Sequence, residues 1–230
     1  MSQQIPEHEM TQDLFVAQAE QWERIGFLQR TYSWVLLGIA VFSGVLFAID
    51  RNLGGFGQWS MSLLTSMNPI ILILVLLGSA YAVRALARKP GIGVIGYLAY
   101  AALLGIFIAP LVILSTGNVI AAAAITTTCV FLGLTAYVFI TKQDFSWMRG
   151  ILTTVLFGMI GVGICALIFG FQLGFLFNLV GALLFSGYIL YDTSNILHHH
   201  RSDEALPAAI ELFVDVVLLF WYLLALFNRD

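Results

Sequence analysis

Seven apolar runs occupy most of the chain: Tyr32 to Ile49, Pro69 to Val83 with its flanks, Ile92 to Leu114, Val119 to Ile140, Gly150 to Phe171, Phe175 to Tyr191, and Ala208 to Phe227. A hydrocarbon layer ~30 Å thick takes about 20 such residues as a helix. None of the runs alternates in the way that lipid-facing barrel strands do. Inside a bilayer the backbone must satisfy its own polar groups, and a single apolar run does so only as a helix. Of the 230 residues, 60% are hydrophobic and 10% charged, whereas soluble domains carry about a quarter charged residues. The expected fold is therefore an all-α integral membrane protein, a seven-transmembrane-helix bundle whose first partner is the lipid bilayer. A formal charge of -3 without a Lys/Arg cluster argues against nucleic acid as a partner.

Residues 1–30 form a polar segment lacking the basic stretch and apolar core of a cleaved signal peptide. Within it Thr11 to Leu28 is expected to form an interfacial helix, with Leu14, Phe15, Trp22 and Ile25 loosely on one side. Residues 31–230 read as one seven-helix transmembrane domain. The connections Ser115 to Asn118 and Gln172 to Gly174 are so short that the flanking helices must be antiparallel neighbours. Arg24, Arg30, Arg84, Arg88, Lys89, Lys142, Arg149 and Arg201 fall on the side of the N-terminus, and only Arg51 and Arg229 on the other. Because basic residues are retained inside, the N-terminus is expected in the cytoplasm and, with seven spans, the C-terminus outside. The bias would suit six spans too, but the length of Ile210 to Phe227 favours a full crossing. Compact loops and few lysines suit a bacterial inner membrane.

Small residues recur in the later runs, at Gly158, Gly161, Gly163, Gly170, Gly174, Gly181, Ala182, Ser186 and Gly187. They are expected at helix contacts, where close backbone approach drives association in lipid. Cys129 and Cys165 lie within spans and read as small buried apolar residues.

Three acids stand inside or beside apolar runs where an ionised carboxylate is costly: Asp192, Glu211 and Asp215. Asp192 ends the sixth run. Asp215 lies about seven residues, roughly 10 Å, into the seventh, so both belong to the cytoplasmic half, and Arg84 ends the second run at a comparable level. Glu211 and Asp215 share one helix face. Two nearby acids in apolar surroundings tend to share a proton, which makes Asp192 and Asp215 candidates for a pH-sensing pair. His198, His199 and His200 read as a solvated or headgroup-facing loop, since consecutive histidines on a helix do not converge on one ion. No phosphate loop, nucleophile elbow or metalloprotease helix is present. The chain is accordingly not expected to be an enzyme or to carry a cofactor.

The segment SGYILYDTSNILHH, followed by AIELFVDVVLLFWYLLAL, resembles the closing signature of the transmembrane Bax-inhibitor-motif (Bax inhibitor-1-like) family. GLTAYVFITKQDFSWMRGIL, with Thr141, Lys142, Asp144 and Phe145, is similar to that family's fourth loop. The likeness runs from about Arg24 to Arg229. It implies a bundle whose last helix is central, and a pH-sensitive calcium leak in which Asp192 and Asp215 share a proton and latch the cytoplasmic end. It also implies that a basic residue of the second helix, Arg84 with Arg88 as the accessory candidate, engages the pair. Calcium ions and protons are then the small partners, and the two aspartates are the candidate calcium-contacting oxygens. The competing expectation is a non-conducting regulator that binds a membrane protease or stress and cell-death machinery, to which the aromatic Phe213, Phe220, Trp221, Tyr222 and Phe227 could present a surface.

Overall fold

The computed structural model describes residues 15–17, 20–89 and 91–228. Its helices are α1 (Gln21–Asp50), α2 (Phe56–Ser66), α3 (Pro69–Leu86), α4 (Ile92–Ile113), α5 (Gly117–Thr141), α6 (Arg149–Phe169), α7 (Phe175–His198) and α8 (Ala205–Phe227). No strand forms among the described residues. Among the described residues, six helices are long and apolar enough to cross a membrane: α1, α4, α5, α6 with the turn before it, α7 and α8. The second expected span becomes α3, in which the apolar stretch Leu74–Leu86 is shorter than the other six. The protein is thus a multi-pass α-helical membrane protein.

The beginning of the chain departs from expectation. The helix anticipated from Thr11 starts at Gln21 and runs 30 residues into the first span without a break. Phe15 instead forms an isolated antiparallel bridge with Arg201, and the Val16 N–H donates to His200 O at 2.9 Å. Val16 is fully buried there, so apolar contact with the α7–α8 loop outweighs helix formation at this point; Thr11 to Leu14 lie outside the described residues.

Helix ends follow local chemistry. Gly170 closes α6 in the left-handed region at φ 72°, a conformation glycine adopts without a Cβ clash. Lys142 closes α5 at φ 51° and donates its N–H to Val138 O at 2.8 Å. The sharp reversal there delivers Gln143 to Phe145 onto α7.

The last helix organises the packing. It lies against α7, its most extensive contact, and against α1, α5 and α4. Its buried face runs from Ala205 through Ile210, Leu212, Phe213, Val217 and Leu219 to Leu224. Phe213 meets Phe42 and Tyr97 edge-on at 6.4 and 5.4 Å, and Phe220 meets Phe42 at 6.1 Å. Tyr222 stacks on Phe185 at 5.6 Å. Phe213 and Phe220 are thus buried in the core, where ring pairs gain both area and quadrupole contact, while Trp221, Tyr222 and Phe227 are half-buried.

Of the small residues, Gly181 admits the Tyr222 ring and Gly187 the Leu152 side chain. Gly158, Gly161, Gly163, Gly170 and Gly174 have no neighbour within 4 Å of where a Cβ would stand. The reason is that α6 packs mainly on α7 and leaves most of its surface outward. Cys129 and Cys165 are likewise exposed rather than buried. Gly38, which the sequence did not single out, lies beneath the Tyr97 hydroxyl, and that hydroxyl donates to Trp34 O at 2.9 Å.

Candidate functional site

Asp192 and Asp215 come together across the α7–α8 interface, with their carboxyl groups in hydrogen-bonding reach of each other. They are 8% and 5% exposed, which leaves almost no water to hydrate either. Helical spacing explains the meeting. Ile189, Asp192, Thr193 and Ile196 line one face of α7, and Leu212, Asp215, Val216 and Leu219 one face of α8; all but the two acids and Thr193 are apolar. The pair is held by hydrophobic packing around it.

A carboxylate accepts and cannot donate, so two of them facing each other form a hydrogen bond only with a proton between them. Asp215 Oδ2 finds no donor among the described residues. Tyr188, one turn before Asp192, lies within charge range of both acids and against Thr153 of α6. Among the described residues, no group of three or more His, Cys, Asp or Glu converges as a metal site, although the charge of Glu211 acts on both aspartates.

Arg84 does not form the contact that the resemblance implied. Its charge acts on both aspartates, but the side chain is exposed at the end of α3 and makes no ion pair with them among the described residues. Tyr100 of α4 also feels its charge. Arg88 is engaged elsewhere, with Nη2 donating to Glu204 Oε1 at 3.0 Å, so it tethers the end of α3 to the start of α8. Glu211 is not a third member of the pair either; its Oε2 lies 3.5 Å from His200 Nε2.

His200 is the residue that sequence reading places wrongly. A solvated or headgroup-facing loop is expected there, yet its side chain is only 13% exposed and turned toward two glutamates. It sits between Glu211 and Glu204, whose Oε2 is 3.6 Å from His200 Nδ1. Burial pulls its pKa down, but the hydrogen bond to Glu211 and the charges of Glu211, Glu204 and Asp192 outweigh that, and the net shift is upward. The available signal is a His followed four residues later by Glu204, with Glu211 two turns further. What spacing cannot show is that the α7–α8 loop folds inward.

Ser194 carries no sequence signal of its own. Its Oγ accepts the Phe145 N–H at 2.9 Å and donates to Gln143 O at 3.2 Å, which staples the Lys142–Phe145 loop to α7 two residues beyond Asp192. His199 Nε2 and Asp144 Oδ2, 3.5 Å apart, add an exposed link. The Ser146 N–H, donating to Asp144 Oδ1 at 2.8 Å, holds that carboxyl below its ordinary range. The loops after α3, α5 and α7 and the segment before α1 thus gather at the end of the bundle nearest the acidic pair.

The fold and the site define a class: a multi-pass helical membrane protein that encloses a two-aspartate contact beside its last helix. A family model described as "Inhibitor of apoptosis-promoting Bax1" matches residues 24–230, and the chain belongs to this Bax inhibitor family. It is 31% identical over 215 residues to protein lifeguard 4 of Mus musculus, covering 91% of this chain and 87% of that one. With Bax inhibitor 1 of Schizosaccharomyces pombe it shares 30% identity over 216 residues, 89% of this chain and 77% of the relative. An uncharacterized protein of Pseudomonas aeruginosa is 30% identical over 220 residues, 92% and 93% of the two chains.

Proposed function

We propose that the protein is a pH-sensitive cation leak channel, with calcium as the cation, gated by the Asp192–Asp215 pair. The single observation that carries this reading is the burial of two facing carboxyl groups between α7 and α8. An intramembrane acid is retained against a desolvation cost, and proton or ion pathways are where such acids occur. With one proton between them the carboxyls bond and clamp the helices. Ionised, they repel, the inner mouth loosens, and their oxygens become ligands suited to a hard cation. Arg84, acting on both at a distance, favours the ionised oxygens without plugging the mouth.

The proposed topology is seven spans in a bacterial inner membrane, N-terminus cytoplasmic, with α8 at the centre. Connectivity supports it. α1 extends about 45 Å from its start near His200 to Asp50, while Arg88 is back beside Glu204. A return of the chain across the bundle between Asn52 and Leu86, through α3, fits both positions. The contacts of α8 with four other helices support its central place.

The test is calcium flux into vesicles containing only the purified protein, measured from pH 6 to 8. Flux that increases with pH is expected. Absence of flux at every pH, together with capture of a membrane-protein partner, would replace the channel with the non-conducting regulator that the family's description also accommodates.

A further inference from the structure

A cavity of about 590 Å³ lies between α1 and α5, with α8 as its floor. Its size is within the usual 300–1,000 Å³ of ligand pockets. The two wall helices meet at Tyr32, whose ring lies 6.4 Å from Phe131 and 6.0 Å from Phe139, and part beyond it toward Asp50. The resulting groove opens sideways, at the level of the spans, between the exposed rims Leu36 and Leu132. Its floor is Val216, Val217 and Phe220.

The lining asks for hydrocarbon. The hydroxyls of Thr127 and Thr128 already donate to Ala123 O and Ala124 O, each at 2.8 Å, which leaves Ser43 as the one polar side chain in an otherwise apolar lining before Asp50. From Leu36 to Asp50 the groove follows α1 for about 21 Å, which is one leaflet's depth rather than the whole bilayer. At its outer end Asp50 and Arg51 stand side by side, Oδ2 and Nε 3.9 Å apart and both exposed. Arg51 also covers the Phe47 ring at 5.5 Å. Asp50 closes the C-terminal turn of α1, the end of the helix dipole that repels a carboxylate and attracts an ammonium group.

We propose that this groove binds one phospholipid of zwitterionic headgroup, with an acyl chain on the α8 floor, the phosphate at Arg51 and the ammonium at Asp50. The lipid would pack on the helix that carries Asp215, against its neighbour Val216. Because the proposal concerns binding, it stands or falls independently of the channel reading.

The probe is a phosphatidylethanolamine with a diazirine on its acyl chain, photolysed in vesicles with the full-length protein and mapped by peptide mass spectrometry. Saturable labelling of the Val216–Phe220 and Phe42–Phe47 segments is expected, falling about tenfold in Ala124→Trp and in the rim variant Leu132→Trp, each checked for an unchanged melting temperature. Replacing Asp50 and Arg51 by Ala should weaken phospholipid labelling several-fold and leave labelling by a diazirine fatty acid unchanged. Unsaturable labelling spread equally over the outward face of α6 would overturn the site. Equal competition by free fatty acid would overturn the headgroup assignment.

Discussion

Replacing Asp215 by Asn removes one ionisable group and almost no volume. Two full carboxylates about 4 Å apart, at an effective dielectric of about 20, repel by about 4 kcal/mol. At about 1.4 kcal/mol per decade this is roughly three decades in the equilibrium between clamped and released helices. The amide introduced by that substitution would donate its hydrogen to Asp192 at any pH, so the clamp would hold without a shared proton. In a calcium-flux assay on reconstituted vesicles, the wild-type rate should rise between pH 6 and 8, by at most about two decades, because release of one shared proton shifts the equilibrium by no more than tenfold per pH unit and the repulsion is large enough to allow it. Asp215→Asn should stay at the low rate throughout. Asp192→Asn should behave the same way, and the double variant should add little, because the pair titrates as a unit. A pH profile in Asp215→Asn that overlays the wild type, or single effects that simply add, would refute the shared-proton gate.

Further outcomes follow from neighbouring residues. His200 has a folded pKa above its ordinary value of about 6.5, so its contribution to stability is complete below that pH and is lost as pH rises through the folded value. The protection factor of the Val16 amide against hydrogen exchange should fall over that range, and His200→Gln should make it independent of pH. Gly181→Ala would drive a methyl group into the Tyr222 ring and should lower stability by about 1–3 kcal/mol. Gly158→Ala, in open space, should be neutral or stabilise by up to about 1 kcal/mol; thermal unfolding in detergent compares them. Ser194→Ala strands the buried Phe145 N–H, which should cost about 1–3 kcal/mol. Limited proteolysis should then cut the Lys142–Phe145 loop faster.

The helical membrane class is legible in the chain alone, because apolar runs of this length in lipid leave the backbone one way to satisfy its hydrogen bonds. Asp192 and Asp215 are legible in the same way, because a carboxylate in an apolar run is conspicuous without any knowledge of its surroundings. Which residues meet is a matter of packing. Helical periodicity gives a residue its face but says nothing about which helix lies opposite, so Arg84 stands apart from the pair while Arg88 holds Glu204. The same limit explains the glycines: Gly181 and Gly158 look alike in the chain, yet one lies against α8 and the other on an open face. His200 shows it most clearly, because its burial comes from a loop folding back against Val16, a long-range contact that no local pattern encodes.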